Sequence, residues 1–539
     1  MEQPNKHKNN QNQEHKIKLP TLMLAGIGTI IGSGWLFGSA HVAKMAGPAG
    51  IFSWVIGAVM ILVIALNLIE LSTIAPIRMG SMGYFLRYTH GSFAGFIAEW
   101  TILIGFISSI PSEATASTQY LSEWNYVWAH SLFNHNTNSL TLSGLIISSL
   151  LCFIYFFINY YSLRFLARSI KTLTIFKLFV PTLAVFMFLY AGFHVDNLHI
   201  VGNHSLAPYG ISGIFTAVAT SGVIYAFNGF QAPITFAAET HNPKRNIPLA
   251  LIGSVFISAV IYISLQFVYL VSMPTDLLIK YGWNGLNLSS PFASLAISLN
   301  LNLLAILLFI DAFISPSGGG IIYTSLSGRV FFGMGDYLPK WFGNLDVKSR
   351  LPKNALLAVL VISILSLWLL PSWEKLAAVI SVGYILCYAT VPVSVYSFRK
   401  LSPVLPHKDA IRVYGVKILA PIGFIFATFM LYWSRSPLNA EVILIVLLGL
   451  PIYIFYAKKR QEAIMPQLSK CIWMIAYLVF VAIYGFFGSK NFGGTGLIPD
   501  VYIIDHILLA CLSMIFFIWG VSVSFKTNAY IEEIDNRQT

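Results

Sequence analysis

The stretch Gly26-Ile27-Gly28-Thr29-Ile30-Ile31-Gly32-Ser33-Gly34-Trp35 decides the fold of this chain. It places four glycines within nine residues, in the middle of an apolar segment long enough to cross a bilayer. Each glycine costs a helix about 1 kcal/mol relative to alanine. The glycines therefore serve either close packing of small residues between membrane helices or an unwound segment whose freed backbone groups line a cavity.

A second interruption favours the unwound interpretation. Tyr225-Ala226-Phe227-Asn228-Gly229-Phe230-Gln231-Ala232-Pro233 breaks the sixth apolar segment near its middle. Two broken helices that lie five helices apart are typical of two five-helix halves in inverted topology, with a site at the middle of the membrane. The N–H groups at the start of a half-helix attract a carboxylate, and the freed carbonyls can accept an ammonium. The scaffold thus suits a zwitterion such as an α-amino acid.

The composition of the chain predicts an all-α integral membrane protein. Of its 539 residues, 56% are hydrophobic and 10% are charged, whereas a soluble domain carries about 25% charged residues. A helix of roughly 20 apolar residues crosses the hydrocarbon core, and the sequence predicts fourteen such spans. They cover residues about 19–46, 50–76, 93–121, 140–162, 171–193, 211–238, 247–272, 292–324, 353–371, 375–398, 413–434, 440–457, 469–488 and 502–523.

The basic residues predict the orientation of these spans. With a cytoplasmic N-terminus, 27 of the 33 Lys and Arg residues fall in inside segments, and the outside segments keep only Lys44, Lys280, Lys375, Arg435 and Lys490. This bias follows the positive-inside rule. It predicts that both termini are cytoplasmic, and it accounts for the net charge of +12 without nucleic acid as a partner.

The sequence divides into a transport core and flanking parts. We predict a polar tail at 1–18, a ten-span core at 19–398 with halves 19–193 and 211–398, four additional spans in 399–523 and a tail at 524–539. A primary pump is not expected, because there is no GxxxxGK[ST] motif. The four cysteines lie in apolar stretches as small buried hydrophobes, so neither a cofactor nor a metal is expected. The histidines are scattered, which disfavours a membrane-embedded enzyme or sensor.

Several motifs resemble the amino acid–polyamine–organocation (APC) superfamily of permeases, in the expected order over residues 19–350. Within that superfamily, the tail and the acidic eighth span look most like the bacterial aspartate:proton symporters. The matching segments are Ile30–Gly38, Gly83–Tyr84, Gly91–Trp100, Phe227–Gln231, Ala238–Pro248, Ser327–Arg329 and Asp336–Pro339.

The resemblance implies the LeuT-type fold and secondary active transport of an amino acid across a bacterial inner membrane. Proton-coupled import by alternating access is the leading hypothesis, and exchange of an amino acid for an amine is the alternative. Tyr225 falls where relatives carry an aromatic gate. The implied substrate-binding backbone is Ile31, Gly32, Ser33 and Gly34 for the carboxylate, with Phe227, Asn228 and Gly229 for the amine.

Ionisable residues inside membrane spans are costly and usually functional. Lys177 lies about two turns into the fifth span, and three interpretations are open. The lysine extends its ammonium to the interface, or, as the resemblance implies, occupies the place of a sodium ion and takes part in proton coupling. In other relatives the same lysine only supports the first helix. Asp311, at mid-span in the eighth span, is either a proton carrier or a structural carboxylate bonded to a serine. Ser317 falls near the family's ion-facing serine.

Three glutamates complete the candidates. Glu113 lies deep in the third span, where it is expected to touch the substrate or the proton. Glu99, on the same helix face, is expected to be wetted near the inner end, and Glu70 to be an interfacial charge. Gln231 replaces an acid that many relatives carry, and no span holds an arginine for a second substrate carboxylate. The side-chain preference of the substrate therefore stays open.

Overall fold

The computed structural model describes residues 17–74, 82–161, 163–201, 205–235, 240–347, 349, 351–403, 410–462, 464–498 and 502–535. Residues 1–16 and 536–539 of the predicted tails lie outside the described residues, as do residues 236–239 of the loop that resembles the permease signature.

The described chain is helical apart from one small hairpin. The hairpin pairs β1, Phe133–Asn134, with β2, Ser139–Leu140, in antiparallel register. The α-helices are α1 Leu19–Ile30, α2 Gly34–Ala46, α3 Gly50–Ile74, α4 Phe85–His90, α5 Ser92–Leu121, α6 Val127–His130, α7 Leu142–Tyr161, α8 Leu163–Ala191, α9 Gly210–Thr220, α10 Val223–Phe227, α11 Ala232–Thr235, α12 Pro243–Ser272, α13 Thr275–Gly285, α14 Pro291–Ser298, α15 Asn302–Gly333, α16 Lys353–Leu369, α17 Trp373–Leu401, α18 Val416–Trp433, α19 Leu438–Leu447, α20 Gly449–Lys459, α21 Ile464–Phe487, α22 Tyr502–Ser522 and α23 Asn528–Glu533.

Among the described residues, twelve helical stretches are long and apolar enough to cross a membrane. Gly34–Ile74 is one continuous stretch in that count, and Leu19–Ile30 and Lys353–Leu369 are shorter apolar helices. The chain is thus a multi-pass membrane protein, whereas the number fourteen stays a prediction.

Both predicted helix interruptions are present. The first separates α1 from α2, where Ile31 has an extended conformation with ψ 93°. In the second, the chain leaves α10 at Asn228, with ψ 145°, and passes through Gly229, whose φ is +96°. A positive φ is readily available only to glycine, so this residue sets the path of the second break.

The glycines of the opening stretch divide between the two roles considered for them. Gly26 packs against the Ser254 side chain of α12, and Gly28 packs against Thr174 of α8. Gly32 lies within the break, and Gly34 begins α2. Gly26 and Gly28 therefore serve close packing between helices, whereas Gly32 lies in the unwound segment and Gly34 directly follows it.

Helix α5 forms the centre of the bundle, because it packs along both α15 and α17 and is buried over most of its length. A Cβ on Gly105 would lie 3.1 Å from the Tyr384 ring of α17, so the two helices approach closely there. This packing brings α5, α15 and α17 against the broken helices.

The ends of the helices define two faces of the molecule. On the first, the tail face, Ile17 forms a bridge to Thr240, and Thr527 Oγ1 donates to Tyr88 O at 2.9 Å. On the second, the opposite face, a cavity of about 600 Å³ is lined in part by Lys44, Ser372, Glu374, Lys375 and Arg435.

Candidate functional site

The first helix break holds a carboxylate from within the protein. Ser33 is the N-cap residue of α2, and its backbone N–H donates to Glu113 Oε2 at 2.9 Å. Glu113 lies on α5 and has 1% of its surface exposed. The first N–H groups of a helix have no partner within the helix, and they favour an anion. The predicted carboxylate-binding segment and Glu113 therefore form one site.

A chain of hydrogen bonds runs to the same carboxylate. Trp373 Nε1 donates to Ser33 Oγ at 3.0 Å, Ser33 Oγ lies 2.8 Å from the Tyr225 hydroxyl, and that hydroxyl donates to Glu113 Oε1 at 3.0 Å. Ser112 Oγ donates to the Tyr225 hydroxyl as well, at 3.3 Å. Since the Tyr225 hydrogen is used on Glu113, Ser33 must be the donor to Tyr225. Every donor therefore points toward the carboxylate.

Lys177 binds the carbonyl groups that the first break sets free. Its Nζ donates to Ile31 O at 2.9 Å and to Gly28 O at 3.2 Å, and the residue is 2% exposed. Helix α8 begins at Leu163, so Lys177 is its middle residue. The estimate of two turns from the helix end was wrong, and the ammonium does not extend to the interface.

Two glycines of α15 make room for these ionisable groups. A Cβ on Gly318 would lie 2.9 Å from Lys177 Nζ, and a Cβ on Gly319 would lie 2.8 Å from Glu113 Oε1. A Cβ on Gly32 would meet the same Oε1 at 2.5 Å. Glu113 is therefore enclosed between the first helix break and α15.

Asp311 has the serine partner that one of its two interpretations predicted, whereas Ser317 has another partner than expected. Ser315 Oγ donates to Asp311 Oδ1 at 2.8 Å, and Asp311 Oδ2 has no hydrogen-bond partner among the described residues. Ser317 Oγ lies 3.2 Å from the Tyr155 hydroxyl and forms no described hydrogen bond to Lys177. Because α15 runs from Asn302 to Gly333, Asp311 lies in its first third, and the mid-span placement was wrong.

The second break is held by tyrosines from other helices. Tyr388 donates to Asn228 Oδ1 at 2.9 Å, and Asn228 Nδ2 has no partner among the described residues. The Tyr262 hydroxyl lies 3.1 Å from Ala226 O and 3.3 Å from Ile30 O, so it spans both breaks. The Tyr262 ring also packs edge-on against Phe227.

Packing at the second break leaves little space near Gly229. A Cβ there would lie 2.6 Å from Thr29 Cγ2 and 2.8 Å from Thr29 O. The predicted amine-binding segment therefore lies directly against α1.

Aromatic rings separate this site from the cavity on the opposite face. The Trp373 ring stacks on Phe37 at 4.7 Å and on His41 at 5.3 Å, and it meets Tyr225 edge-on at 5.5 Å. Ser372, the neighbour of Trp373, lines the cavity. Tyr225 and Trp373 thus pack together between the site and the cavity.

The sequence analysis missed four residues of this arrangement, which are Ser112, Tyr262, Trp373 and Tyr388. Ser112 adjoins the singled-out Glu113, and this adjacency is a signal that could have identified it. The three aromatic residues lie in ordinary apolar spans, and their sequence context gives no comparable signal.

Other predictions about polar side chains need correction. Glu70, predicted to be an interfacial charge, is fully buried within the protein, and Arg399 donates to its two oxygens at 2.7 and 2.5 Å. Glu99 is 1% exposed, so the expectation that it is wetted was wrong. Cys511 is exposed, whereas the other three cysteines are buried as expected.

Comparisons with known proteins identify the family to which the chain is similar. The family described as amino acid permease matches residues 17–441. The glutamate/serine transporter AimA of Bacillus subtilis (strain 168) is 42% identical over 514 residues, which cover 94% of this chain and 93% of that protein. The aspartate-proton symporter of the same organism is 33% identical over 520 residues, covering 94% and 96%. The branched-chain amino acid permease BcaP, also from this organism, is 24% identical over 470 residues, covering 82% and 92%.

Proposed function

Since the chain belongs to the amino acid permease family, we propose that it imports an amino acid together with a proton by alternating access. The protein is an amino acid transporter rather than an enzyme, with the LeuT-like, all-α membrane fold of that family. Proton coupling, the direction of transport and the residues that carry them are the new parts of the proposal.

The position of the Lys177 ammonium carries the proposal of proton coupling. In transporters with broken helices, freed carbonyls coordinate the coupling cation. Here two such carbonyls, those of Gly28 and Ile31, already accept hydrogen bonds from the ammonium. A metal cation at the same carbonyls would be repelled by this positive charge. The proposed coupling ion is therefore a proton, exchanged by one of the buried ionisable groups Lys177, Glu113 and Asp311.

The proposed substrate is a small polar or acidic amino acid. Two relatives are named for glutamate, serine and aspartate. The Ser33 end of α2 receives the α-carboxylate, and the carbonyls at the second break receive the amine. The Asn228 amide, whose Nδ2 has no partner among the described residues, is a neutral donor for a hydroxyl or carboxylate on the substrate side chain. The Asn228 amide can donate to a hydroxyl or to a carboxylate, so neither kind of substrate side chain needs an arginine as its partner.

We place the tail face in the cytoplasm of a bacterial cell, following the distribution of the basic residues. The cavity lined by Lys44 and Arg435 then opens outward, and the Trp373 gate closes the site on that side. Residues 19–398 form the transport core with halves 19–193 and 211–398, and the spans within 399–523 are accessory to it.

Uptake into proteoliposomes tests the proposal. Labelled glutamate, aspartate and serine are offered to the reconstituted full-length protein under an inward proton gradient, under an inward sodium gradient and without a gradient. We expect accumulation only with the proton gradient. Uptake driven by sodium would overturn the choice of coupling ion. Strict dependence on an amine or amino acid inside the vesicles would indicate exchange, and absence of all uptake would overturn the proposal.

A further inference from the structure

The Glu113 carboxylate occupies the position expected for the carboxylate of the substrate. We propose that Glu113 is an internal substitute for the substrate carboxylate, and that substrate binding requires its release from Ser33 and its neutralisation by one proton. The inference rests on the proposed function. It adds that Glu113 is the group that couples binding of the amino acid to binding of the proton.

The donor at this position is suited to one anion at a time. Ser33 precedes a helix of 13 residues, and its backbone N–H is directed at Glu113 Oε2. A substrate carboxylate bound in the same break would lie beside this N–H, because the resemblance to permeases assigns the carboxylate to the segment around Ser33. The two carboxylates therefore compete for the same helix end.

The hydrogen bonds around Glu113 are those that an ionised carboxylate would accept. Tyr225 donates its only hydrogen to Oε1, and the Ser33 N–H donates to Oε2. A carboxylate accepts at both oxygens, whereas a protonated carboxyl group carries a donor on one of them. The arrangement around Glu113 thus matches its charged form.

Glu113 has little space in which to avoid an arriving carboxylate. Gly32 faces Oε1 on one side and Gly319 faces it on the other. A Cβ on Gly32 would lie 2.5 Å from Oε1, and a Cβ on Gly319 would lie 2.8 Å from it. The Lys177 ammonium uses two of its three N–H donors on Gly28 O and Ile31 O, so it has one donor left for the two carboxylates. Two negative charges so close together in a buried site disfavour each other's ionisation. Proton uptake by Glu113 removes this repulsion.

One proton and one substrate molecule enter and leave the site together. A proton from water on the open side binds Glu113, the hydrogen bond from Ser33 N–H to Oε2 breaks, and the same N–H binds the substrate carboxylate. After the substrate leaves on the other side, Glu113 releases the proton there and its carboxylate returns to Ser33. One proton therefore accompanies each substrate molecule. The empty carrier can return without a proton, because Glu113 then fills the break.

Binding measurements on the full-length protein in detergent test this inference. Equilibrium binding of labelled glutamate and serine is measured over a pH series for the natural chain and for Glu113→Gln, which keeps the shape and the acceptor oxygen. The affinity of the natural chain should fall as pH rises, by at most about tenfold per pH unit for one linked proton. Glu113→Gln should bind tightly with no such dependence. Glu99→Gln, which removes another buried carboxylate of α5, should behave as the natural chain does.

A second measurement needs no variant. Adding the substrate to the natural protein in weakly buffered alkaline solution should remove about one proton per bound substrate from the solvent. In proteoliposomes, Glu113→Gln should still exchange external for internal substrate but should not accumulate it under a proton gradient.

Several results would overturn the inference while leaving the proposed function intact. They are proton-driven accumulation by Glu113→Gln, an unchanged pH slope of its affinity, binding by the natural chain without proton uptake, and loss of binding by a stably folded Glu113→Gln at every pH. Failure of the natural chain to transport any amino acid would instead overturn the proposed function.

Discussion

Trp373 and Ser33 are 340 residues apart in the sequence, yet the indole Nε1 of Trp373 donates to Ser33 Oγ at 3.0 Å. The bond joins the proposed Trp373 gate to the helix break that holds Glu113. The proposed gate and the site are therefore parts of one polar network. A substitution at either end is expected to alter the structure at the other end.

Removing this bond should open the gate more often. Trp373→Phe keeps an aromatic ring but lacks the N–H, and a buried hydrogen bond contributes about 1 kcal/mol, or roughly a fivefold shift in an equilibrium. A cysteine placed at the buried Ser372 should then react several times faster with a membrane-impermeant maleimide. The same cysteine with Trp373 intact gives the reference rate, and the chain without it reports on Cys511. Equal rates would show that the bond does not hold the gate.

Lys177 should be indispensable for proton-driven uptake. Lys177→Met removes two hydrogen bonds from a charged group, each contributing about 1.5–3 kcal/mol, so the uptake rate should fall by at least roughly tenfold. Lys375→Met removes an exposed lysine that lines the cavity on the opposite face and serves as the matched control. Initial rates in proteoliposomes measure both. Normal accumulation by Lys177→Met would exclude this lysine from the mechanism.

The space at Gly319 should be required for transport. In Gly319→Ala the new methyl group would lie 2.8 Å from Glu113 Oε1 and 3.0 Å from Cδ, so the carboxyl group must leave its place or α15 must shift. We expect strongly reduced uptake at normal expression. In the control Gly253→Ala, the methyl group meets Met23 Cε, the flexible end of a side chain. Equal uptake by the two variants would show that Glu113 can move freely.

The ion pair between Glu70 and Arg399 should matter for stability. Glu70 also accepts from Val413 N at 2.9 Å, so Arg399→Leu would leave a buried charge with a single neutral donor. Breaking a buried pair from one side costs about 3–5 kcal/mol, and the melting temperature in detergent should fall clearly. The double variant Glu70→Leu, Arg399→Leu should recover much of the loss. A double variant that is no more stable than Arg399→Leu alone would contradict this account.

The sequence was most informative where the signal is local. Dense glycine at mid-span predicts the first break, and the Asn228-Gly229 pair predicts the second, because both features weaken a helix wherever it packs. Lys177 and Glu113 stand out because ionisable residues are rare in membrane helices. Hydropathy did not predict the end of a helix where the turn that follows it is itself apolar. The run 292–324 conceals the end of α14 and a turn at Asn300, whose φ is +58°, and this misplaced Asp311 along its helix.

Contacts between distant segments could not be predicted from the sequence. Nothing near Glu113 indicates that its carboxylate caps a helix 80 residues away. Likewise, Tyr262 lies in an unremarkable apolar span, although its hydroxyl lies within reach of carbonyls from both breaks. Such partners follow from how the helices pack, which one sequence does not specify.

The uniform direction of the hydrogen-bond chain has a consequence for analogues of the substrate. The Trp373 indole donates to the Ser33 hydroxyl, the Ser33 hydroxyl donates to Tyr225, and the Tyr225 hydroxyl donates to Glu113. The far end of the chain is therefore lined by donors, namely the Tyr225 hydroxyl and the Ser33 N–H. An amino acid whose α-carboxyl has been converted to a primary amide would present N–H groups to donors, and the protein should discriminate against it despite its nearly identical shape.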